Sequence, residues 1–437
     1  MTGFRHRGYL GWITDLASQP GTNEAWPSMR LDERLLADYR ETFAAMKELG
    51  YNEISVWGLY VSRAWPANLK SAVTPERGAR VEKLIAAAHE KGLRVLSGLG
   101  VYSWGFEEII RANPKLARGN PQAMCPSEPE SWEWMRKVVD FVFERFAIDG
   151  VSMQSADQGR CPCPDCKRHG DADYHALLNV RTAEHIRGKW PGKIIGVNSW
   201  GMRFGDPRAQ PALVKMSRAL DYLIDVGNTS AWGGAGYRKK LIESLACDFG
   251  TLGGPQVEPP QHWDRERWFL PTLKRTGEHL QALARDGGRA CEYFFHIRAN
   301  PGDEASFRLA GKVLADPATP WEKHLQGVVE EIFGATRAET RDALAQLLVQ
   351  AEDAYLKHGP QDRCGTISME PLIGDKPGPA VYLKDGLKPP QRAAYAEDLR
   401  AIRAAAEKLA PGVPRKEQLA SVVRCLDNAL RDLAALE

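Results

Sequence analysis

The chain has 437 residues, 43% hydrophobic and 26% charged, which is long enough to bury a large core without disulfides. Its 58 basic and 56 acidic residues leave a net charge of +2, which disfavours nucleic-acid-binding proteins because these carry a clustered basic surplus. No apolar run predicts a signal peptide or a transmembrane helix, so no membrane partner is expected. Eight cysteines without an export signal indicate reduced thiols and a cytoplasmic protein.

Apolar segments of strand length alternate with helical patterns up to about residue 300. These units favour a closed parallel (β/α)8 TIM barrel over an open doubly wound sheet, since neither a dinucleotide-binding glycine fingerprint nor a P-loop is present. The predicted strands are 8–14, 53–60, 93–100, 149–155, 193–200, 221–228, 248–254 and 289–297. The predicted helices are 32–49, 75–91, 130–146, 175–190, 237–246 and 265–285, with a weaker pattern at 207–220.

The pattern changes after residue 320, where helices rich in Ala, Leu, Glu and Arg follow one another. They are predicted at 321–333, 337–357, 390–409 and 415–436. A Gly/Pro-rich segment at 359–390 carries several apolar residues, so we interpret it as an ordered loop that could reach the active face; a flexible linker is the alternative. The sequence thus predicts a candidate catalytic barrel at 1–318 and a C-terminal helical region at 319–437.

Three cysteines crowd together just after the fourth predicted strand: Cys161, Cys163 and Cys166. Three thiolates at this spacing can bind one tetrahedral ion, most often zinc, if a fourth ligand is present. Buried reduced thiols or a disulfide are the alternative to a structural zinc, and no organic cofactor is expected. The candidates for the fourth ligand are Cys125, His169 and, more weakly, His175.

Carboxylates near strand ends are the candidate catalytic groups, because the carboxyl ends of barrel strands face the active site. Hydrolysis of a glycosidic bond uses two carboxyl groups, one as acid and one as base or nucleophile. Asp157 and Glu258 lie in loops after the fourth and seventh strands. Asp225 and Glu292 lie in apolar strands, where an unpaired charge is costly, and Asp15 follows the first strand. A salt bridge or a loop cap is the alternative role for each.

Aromatic, amide and basic residues lie at or just beyond the same strand ends. Aromatic faces stack on sugar rings, amides bond hydroxyl groups, and arginine can grip a sugar carboxylate through two hydrogen bonds. Packing beneath the loops is the alternative for many of the aromatic residues. The candidate sugar-binding residues are Trp57, Tyr60, Arg63, Tyr102, Trp104, Asn198, Trp200, Arg203, Asn228, Trp232, His262, His296 and Arg298.

The ordered elements CPSEPE at 125–130, a strand followed by an acid, and CPCPDCK at 161–167 resemble those of an uncharacterised barrel domain related to α-glucuronidases and β-hexosaminidases. The helical segment at 320–355 is similar to the region after the barrel of that group. The resemblance spans about residues 8–358 and implies a glycoside hydrolase-like barrel with Asp157 as its acid. β-Hexosaminidases place an Asp-Glu pair there, whereas Gln158 follows the acid here, which argues against cleavage assisted by an N-acetyl group.

These observations predict a glycoside hydrolase that cleaves a glycan or glycoside. Asp157 would be the general acid, and Glu258 or Asp225 would activate water or act as nucleophile. One alternative is a metal-assisted lyase or isomerase of a sugar acid, which needs an open metal position. Another is a carbohydrate-binding barrel without catalysis. The sequence makes no prediction of oligomeric state.

Overall fold

Eight parallel strands close into a barrel, which confirms the predicted fold. The computed structural model describes residues 3–13, 31–61, 64–156, 158–200, 202–226, 236–253, 257–258, 269–293, 301–358, 367–368 and 388–434. The barrel strands, in order, are β1 (His6–Trp12), β2 (Glu53–Trp57), β3 (Arg94–Gly100), β4 (Gly150–Gln154), β5 (Ile194–Asn198), β6 (Tyr222–Asp225), β7 (Asp248–Thr251) and β9 (Ala290–Tyr293). A short strand outside the barrel is β8 (Val257–Glu258).

Each barrel strand pairs with its neighbours along the chain, and β9 closes the ring by pairing with both β7 and β1. Ala290 is the residue that joins the two sides, because it pairs with Gly250 of β7 and with His6 of β1. Seven of the strands lie within the predicted segments, while β1 begins earlier, at His6. Closure removes free sheet edges and directs the carboxyl ends of all eight strands to one face, here called the mouth.

A helix follows every barrel strand, as expected for this fold. The helices begin with side-chain caps where the sequence offers them: Asp32 accepts from the Leu35 N–H at 2.9 Å, and Thr74 from the Arg77 N–H at 3.2 Å. Gly50 ends the first helix in the left-handed conformation that glycine adopts freely. The helices are α1 (Glu33–Leu49), α2 (Pro75–Glu90), α3 (Glu107–Ala112), α4 (Pro129–Arg145), α5 (Pro164–Lys167), α6 (Asp171–Lys189), α7 (Gln210–Ser217), α8 (Tyr237–Ser244), α9 (Lys274–Arg285) and α10 (Pro301–Ala315).

Helix α9 begins nine residues later than the sequence predicts, at Lys274 rather than at residue 265. Pro271 explains the late start, because proline cannot donate a helical hydrogen bond and its ring clashes with the preceding turn. Its carbonyl instead accepts from the Tyr355 hydroxyl at 2.7 Å. Helix α6 differs in the opposite sense and begins at Asp171, where two aspartates in the first turn favour the helix N-terminus.

The inside of the barrel and its outer shell are separate packing layers. The inner apolar cluster comprises Leu10, Trp57, Leu96, Tyr222, Ile224, Leu252 and Ala290. Large inward side chains fit because glycines face them: an added Cβ would lie 2.1 Å from the Trp57 ring at Gly98 and 2.3 Å from the Tyr222 ring at Gly196. The alternate residues of the same strands pack outward against the helices.

Within the described residues, four further helices follow the barrel and pack on it. They are α11 (Trp321–Phe333), α12 (Ala338–His358), α13 (Pro389–Leu409) and α14 (Lys416–Ala434). Helix α11 contacts α9 and α10, α12 packs on α13, and α14 returns to contact α10 and α11. Residues from these helices and from the outer shell of the barrel form one continuous hydrophobic cluster. None of the described helices combines the length and apolarity needed to cross a bilayer.

The Gly/Pro-rich segment also approaches the barrel. Of residues 359–387, the structure describes β10 (Ile367–Ser368), which pairs in parallel with β8. Ile367 lies opposite Val257, and Ser368 lies opposite Glu258. The C-terminal segment therefore contacts the loop that follows β7, where Glu258 was singled out as a candidate carboxylate.

Glu352 of α12 fastens the helical region to the barrel. Its side chain is fully buried and accepts hydrogen bonds from the backbone N–H groups of Leu273, Lys274 and Arg275, at 2.8, 2.7 and 3.0 Å. These N–H groups form the N-terminus of α9 and have no partner within the helix. A carboxylate supplied by another helix thus caps α9 and offsets the positive end of its dipole.

Burial raises the pKa of Glu352 to about 7, so its charged form is tested at pH 8. There we expect Glu352→Gln to lower the thermal unfolding midpoint, because the uncharged amide brings an NH2 donor against backbone donors and weakens charge-assisted bonds. The expected cost is about 2 kcal/mol. The matched control is Glu339→Gln on the exposed first turn of the same helix, which removes a screened charge near the helix N-terminus and should cost only about 0.5 kcal/mol. Equal midpoints for the two variants would contradict the role given to Glu352.

Candidate active site

Aromatic side chains form the floor of the mouth on the side of β2 to β5. Trp57 is 2% exposed and meets the Trp104 ring edge to face, with centroids 4.8 Å apart. Trp104 and Trp200 are partly exposed and pack against the inner apolar cluster. Two indole rings thus lie at the carboxyl end of the barrel above a third, an arrangement suited to stacking against the apolar face of a sugar.

The loop after β3 holds Trp104 in an unusual backbone conformation. Tyr102 and Trp104 have φ angles of 62° and 61°, a region that bulky residues rarely adopt. Hydrogen bonds fix the turn: Tyr102 C=O accepts from the Met124 N–H at 2.7 Å, and the Trp104 N–H donates to Gln158 Oε1 at 2.7 Å. Strained conformations held in this way are typical of functional sites.

Asp157 lies outside the described residues, but the chain on both sides of it is described. The Gly159 N–H donates to the Ala156 carbonyl at 3.0 Å. The Asn120 side chain donates to the Gln158 carbonyl at 3.0 Å, which ties this segment to the loop after β3. The residues that flank Asp157 are thus anchored just beyond the carboxyl end of β4.

Glu292 lies inside the barrel, below the mouth. It is 1% exposed and accepts hydrogen bonds from the hydroxyls of Ser55, Ser152 and Tyr222, at 2.9, 3.2 and 2.7 Å. Ser55 precedes Trp57 by two residues on β2, so Glu292 lies one inward-facing layer beneath the aromatic floor. Burial raises the pKa of Glu292 more than these hydroxyl donors lower it. The structure therefore places this acid in the barrel core rather than with the exposed residues of the mouth.

Asp225 faces away from the barrel interior. On β6, Tyr222 and Ile224 belong to the inner cluster and Leu223 to the outer one, so the alternation of a strand turns Asp225 toward the helices. It is 4% exposed and accepts from the Ser199 hydroxyl at 3.1 Å. This position separates it from Glu292, and it does not fit the predicted role of a second reacting carboxylate.

Two predicted sugar-binding aromatics are packing residues instead. Tyr60 is buried in the outer cluster, where its hydroxyl donates to the Val142 carbonyl of α4 at 2.5 Å and its ring contacts Trp65. Tyr102 is 1% exposed in the same outer cluster, and burial raises its pKa to about 12. Both follow strands closely, but their side chains lie between the strands and the helices, so neither is available to a sugar at the mouth.

Asn198 and Arg203 lie on the β5 side of the mouth. Asn198 is 2% exposed; its Nδ2 lies 3.4 Å from the Ser152 hydroxyl, and its Oδ1 has no hydrogen-bond partner among the described residues. A buried amide with a free polar atom is costly unless a ligand or water bonds to it. Arg203 is exposed and lines a groove of about 560 Å³ between the loops after β4 and β5, together with Asp171, Asp206 and others.

Several predicted site residues lie outside the described residues, most of them in the loops after β1, β6, β7 and β9. The backbone of Glu258 is described in β8, but its side chain is not. The others outside the description are Asp15, Arg63, Asp157, Asn228, Trp232, His262, His296 and Arg298.

Four cysteine thiols form a buried cluster beside this site that could hold a metal ion. The sulfur atoms of Cys125, Cys161, Cys163 and Cys166 lie within 4.8 Å of one another. Cys125 Sγ is 3.7 Å from Cys163 Sγ and 3.8 Å from Cys166 Sγ. A tetrahedral zinc ion with bonds of about 2.3 Å would separate its sulfur ligands by about 3.8 Å. The donor set therefore fits a metal, and Cys125 is its fourth member; the cluster does not include His169, which the sequence offered as an alternative.

The thiols of the cluster differ in acidity. Burial raises the pKa of Cys161 and raises that of Cys166 to about 11. Burial acts in the same direction on Cys163, but hydrogen bonds from the backbone and thiol of Cys166 and from the thiols of Cys125 and Cys161 lower its pKa to about 6. The separations exceed the bond length of a disulfide, and all four cysteines are free thiols.

Comparison with known proteins gives structural but not sequence relatives. No protein-family model and no curated protein matches the sequence. A GH138 enzyme that targets the pectin rhamnogalacturonan II matches 99% of this chain and 57% of its own, with TM-score 0.61 and 11% identity. The match to CpGH84B covers 98% of this chain and 67% of that protein, with TM-score 0.51 and 10% identity. The match to an O-GlcNAc hydrolase of Thermobaculum terrenum covers 93% of this chain and 77% of that protein, with TM-score 0.53 and 12% identity.

The chain shares its (β/α)8 fold with glycoside hydrolases. At 10–12% identity this likeness concerns the fold, and the chain spans little more than half of the GH138 protein. The comparisons confirm the fold implied by the sequence resemblance.

Sequence reasoning missed Glu107 and treated Gln158 only as a missing acid. In the structure the Gln158 amide Nε2 donates to Glu107 Oε1 at 2.9 Å while its Oε1 accepts from the Trp104 N–H. Glu107 is the first residue of α3, between the third and fourth strands, and no spacing rule connects it with residue 158. The only signal in the sequence was an amide directly beside the candidate acid.

Glu292→Gln tests the assignment of Glu292 to the barrel core. Because the pKa of Glu292 is raised in the folded state, its ionisation destabilises the protein as the pH rises from the unfolded pKa, near 4.3, through the folded one. The variant has no carboxyl group to ionise at this position. The unfolding midpoint of the variant minus that of the wild type should therefore increase from pH 4 to pH 8. A difference that is constant or falls with pH would contradict the assignment.

Proposed function

We propose that the protein is a glycoside hydrolase that cleaves a glycan or glycoside bound at the mouth of its barrel. The observation that carries the proposal is the anchoring of the chain on both sides of Asp157 beside two partly exposed indole rings. A sugar stacked on these aromatic faces would lie near one of the two carboxyl groups that glycosidic cleavage uses. The glycoside hydrolase fold of the structural relatives supports this choice over other barrel chemistries.

Asp157 is the proposed general acid, and Glu258 is its proposed partner. Asp225 faces the helices and Glu292 lies beneath the aromatic floor. Among the predicted carboxylates that follow β4 and later strands, Asp157 and Glu258 therefore remain. Glu258 follows β7, and the carboxyl ends of β4 and β7 both open on the mouth. The distance between the two carboxyl groups would then decide between retention and inversion.

An acidic sugar is the substrate class we propose first. The relative named for rhamnogalacturonan II acts on a pectin, and the exposed Arg203 beside the mouth offers a guanidinium for a sugar carboxylate. The relative named as an O-GlcNAc hydrolase makes N-acetylglucosaminides the second class to test. Gln158 disfavours that class, because cleavage assisted by the N-acetyl group uses a second carboxylate beside the acid.

A thermal-shift panel of neutral sugars, uronic acids and N-acetyl sugars identifies the ligand class, since a ligand at 100 times its Kd adds about 2.7 kcal/mol of stability.

Once a substrate is identified, Asp157→Asn should lower kcat on the natural glycoside about 100-fold or more. The loss should shrink on a dinitrophenyl glycoside, whose leaving group needs no proton. Asp225→Asn, an equally isosteric change on the helix-facing side of β6, should keep wild-type activity.

Equal losses from Asp157→Asn on the two substrates would contradict a general acid role, and full activity would remove Asp157 from the mechanism. Binding of a sugar with no turnover of any glycoside would instead favour a carbohydrate-binding barrel without catalysis. Glu258→Gln should reduce turnover of both substrates, because a nucleophile or base acts whatever the leaving group.

We also propose that the four-cysteine cluster binds one structural zinc. Four sulfur ligands complete a tetrahedral zinc site and leave no open position for a substrate or water. This donor set therefore disfavours the metal-assisted lyase or isomerase. Cys125 lies before α4 and the other three lie after β4, so the ion would tie together the two loops that surround the candidate acid.

The purified protein should contain about one zinc per chain, and Cys163→Ser and Cys166→Ser should each lower this content and the unfolding midpoint. Cys425→Ser, at a buried cysteine of α14 outside the cluster, is the matched control and should keep the zinc. Metal analysis with a chelator titration gives the readout. A wild-type protein that stays metal-free after refolding with zinc would contradict the proposal.

A further inference from the structure

One side chain links the loop after β3 to the loop after β4 at the candidate acid. The Gln158 amide lies between the Trp104 N–H, which donates to its Oε1 at 2.7 Å, and Glu107 Oε1, which accepts from its Nε2 at 2.9 Å. Since the N–H can only donate and the carboxylate can only accept, the orientation of the amide is fixed by its partners. Neither loop could keep these contacts if it moved independently of the other.

We propose that Gln158 and Glu107 form a positioning bracket that fixes the turn carrying Trp104 relative to the backbone that directly follows the candidate acid. The proposal rests on the glycoside hydrolase function only for the role of Asp157; the bracket itself is defined by its contacts. Gln158 belongs to both parts of the site. Its side chain holds the backbone of Trp104, and its backbone directly follows Asp157 in the sequence.

The bracket acts where the backbone needs support. Trp104 has a φ of 61°, a strained conformation that persists only where surrounding contacts impose it. The contact from Gln158 is one of these, and the Ser103 hydroxyl adds another by donating to the Ser155 carbonyl at 3.0 Å. Loss of the bracket would therefore release the turn that carries the indole, while the barrel beneath it would remain.

Only an amide fits between these two partners. A glutamate at position 158 could accept from the Trp104 N–H, but its second oxygen would face the Glu107 carboxylate at hydrogen-bond distance. Two ionised carboxylates cannot share such a contact unless one binds a proton. The Asp-Glu pair of β-hexosaminidases is therefore incompatible with Glu107 in this chain. Gln158 is thus a positioning residue that takes the place of a catalytic one, and the second carboxylate has to come from another loop.

The surroundings of Glu107 make its contact with residue 158 sensitive to a second negative charge. Glu107 forms no ion pair within the part of the chain that the structure describes, and its Oε2 is buried there without a hydrogen-bond partner. Arg111, on the same short helix, pairs with Glu108 at 2.5 Å. Arg160, from the β4 loop, donates to the carbonyls of Cys166 and His169 and lies 3.5 Å from Asp171. These two arginines are thus engaged with other partners, and neither pairs with Glu107.

The test exchanges the two side chains. The carboxylate introduced by Gln158→Glu shares a contact with Glu107, so one of the two folded-state pKa values is raised, and stability present at low pH is lost as the pH rises. We expect the unfolding midpoint of this variant to be at least about 3 °C below that of the wild type at pH 8 and within about 1 °C of it at pH 4.5. The double variant Q158E/E107Q restores one carboxylate and one amide, and its midpoint should return to within about 1 °C at both pH values.

Glu108→Gln is the control for loss of a charge on the same helix, and it should show no pH-dependent deficit. A Gln158→Glu variant as stable as the wild type at pH 8 would overturn the bracket, and so would a deficit that the exchange does not relieve. If the single variant fails to fold, recovery in the double variant supports the bracket. Failure of both, with Glu107→Gln folded, overturns it.

A sugar ligand from the thermal-shift panel adds a readout that a purely structural contact would not change. At pH 8 the Gln158→Glu variant should lose most of the ligand-induced shift, and the double variant should regain it. Loss of stability without any loss of the ligand-induced shift would contradict the positioning role. The two proposals fail separately: a wild type without any sugar response counts against the hydrolase, whereas a failed exchange counts against the bracket alone.

Discussion

The closed barrel requires each strand to direct every second side chain inward, and this alternation decides which polar residues can meet a ligand. It turns Asp225 toward the helices although this acid lies at the end of a strand. It also brings Glu292 inward, but one layer too deep, beneath Trp57. Glycines at positions 98 and 196 leave the space that Trp57 and Tyr222 occupy, so the interior is filled rather than hollow. Chemistry at the mouth therefore depends on the loops beyond the strands.

Those loops are tied to one another rather than to the barrel alone. The loop before α4 and the loop after β4 meet at the four cysteines and again through Asn120, whose side chain bonds to the Gln158 carbonyl. The Gln158 amide adds a third connection, to Trp104 and Glu107. These contacts anchor the described chain on both sides of the candidate acid. Such support from surrounding residues is what holds a reacting group within the small tolerance that catalysis allows.

Much of the fold was predictable because each unit repeats a local rule. Apolar strand segments, Asp32 and Thr74 as helix caps and Gly50 as a helix end carry their structure in their own chemistry. The cysteine cluster was also predictable, since Cys161, Cys163 and Cys166 are close in sequence. Pro271 could have indicated the late start of α9, but the capping of that helix by Glu352 of α12 could not be predicted, because the two are almost eighty residues apart. Side-chain direction was the main error: proximity to a strand end did not distinguish Tyr60, which packs outward, from Trp104.

The C-terminal helical region contributes to the same face through the loop after β7. Glu352 caps α9 at the end of that loop, and the Tyr355 hydroxyl holds the Pro271 carbonyl. Earlier in the loop, β8 pairs with β10, which comes from the Gly/Pro-rich segment. The strand that carries Glu258 is therefore supported by residues more than a hundred positions away. If Gln158 excludes a second acid beside Asp157, a partner carboxylate in this loop would make the C-terminal region part of the catalytic unit and not an appendage to it.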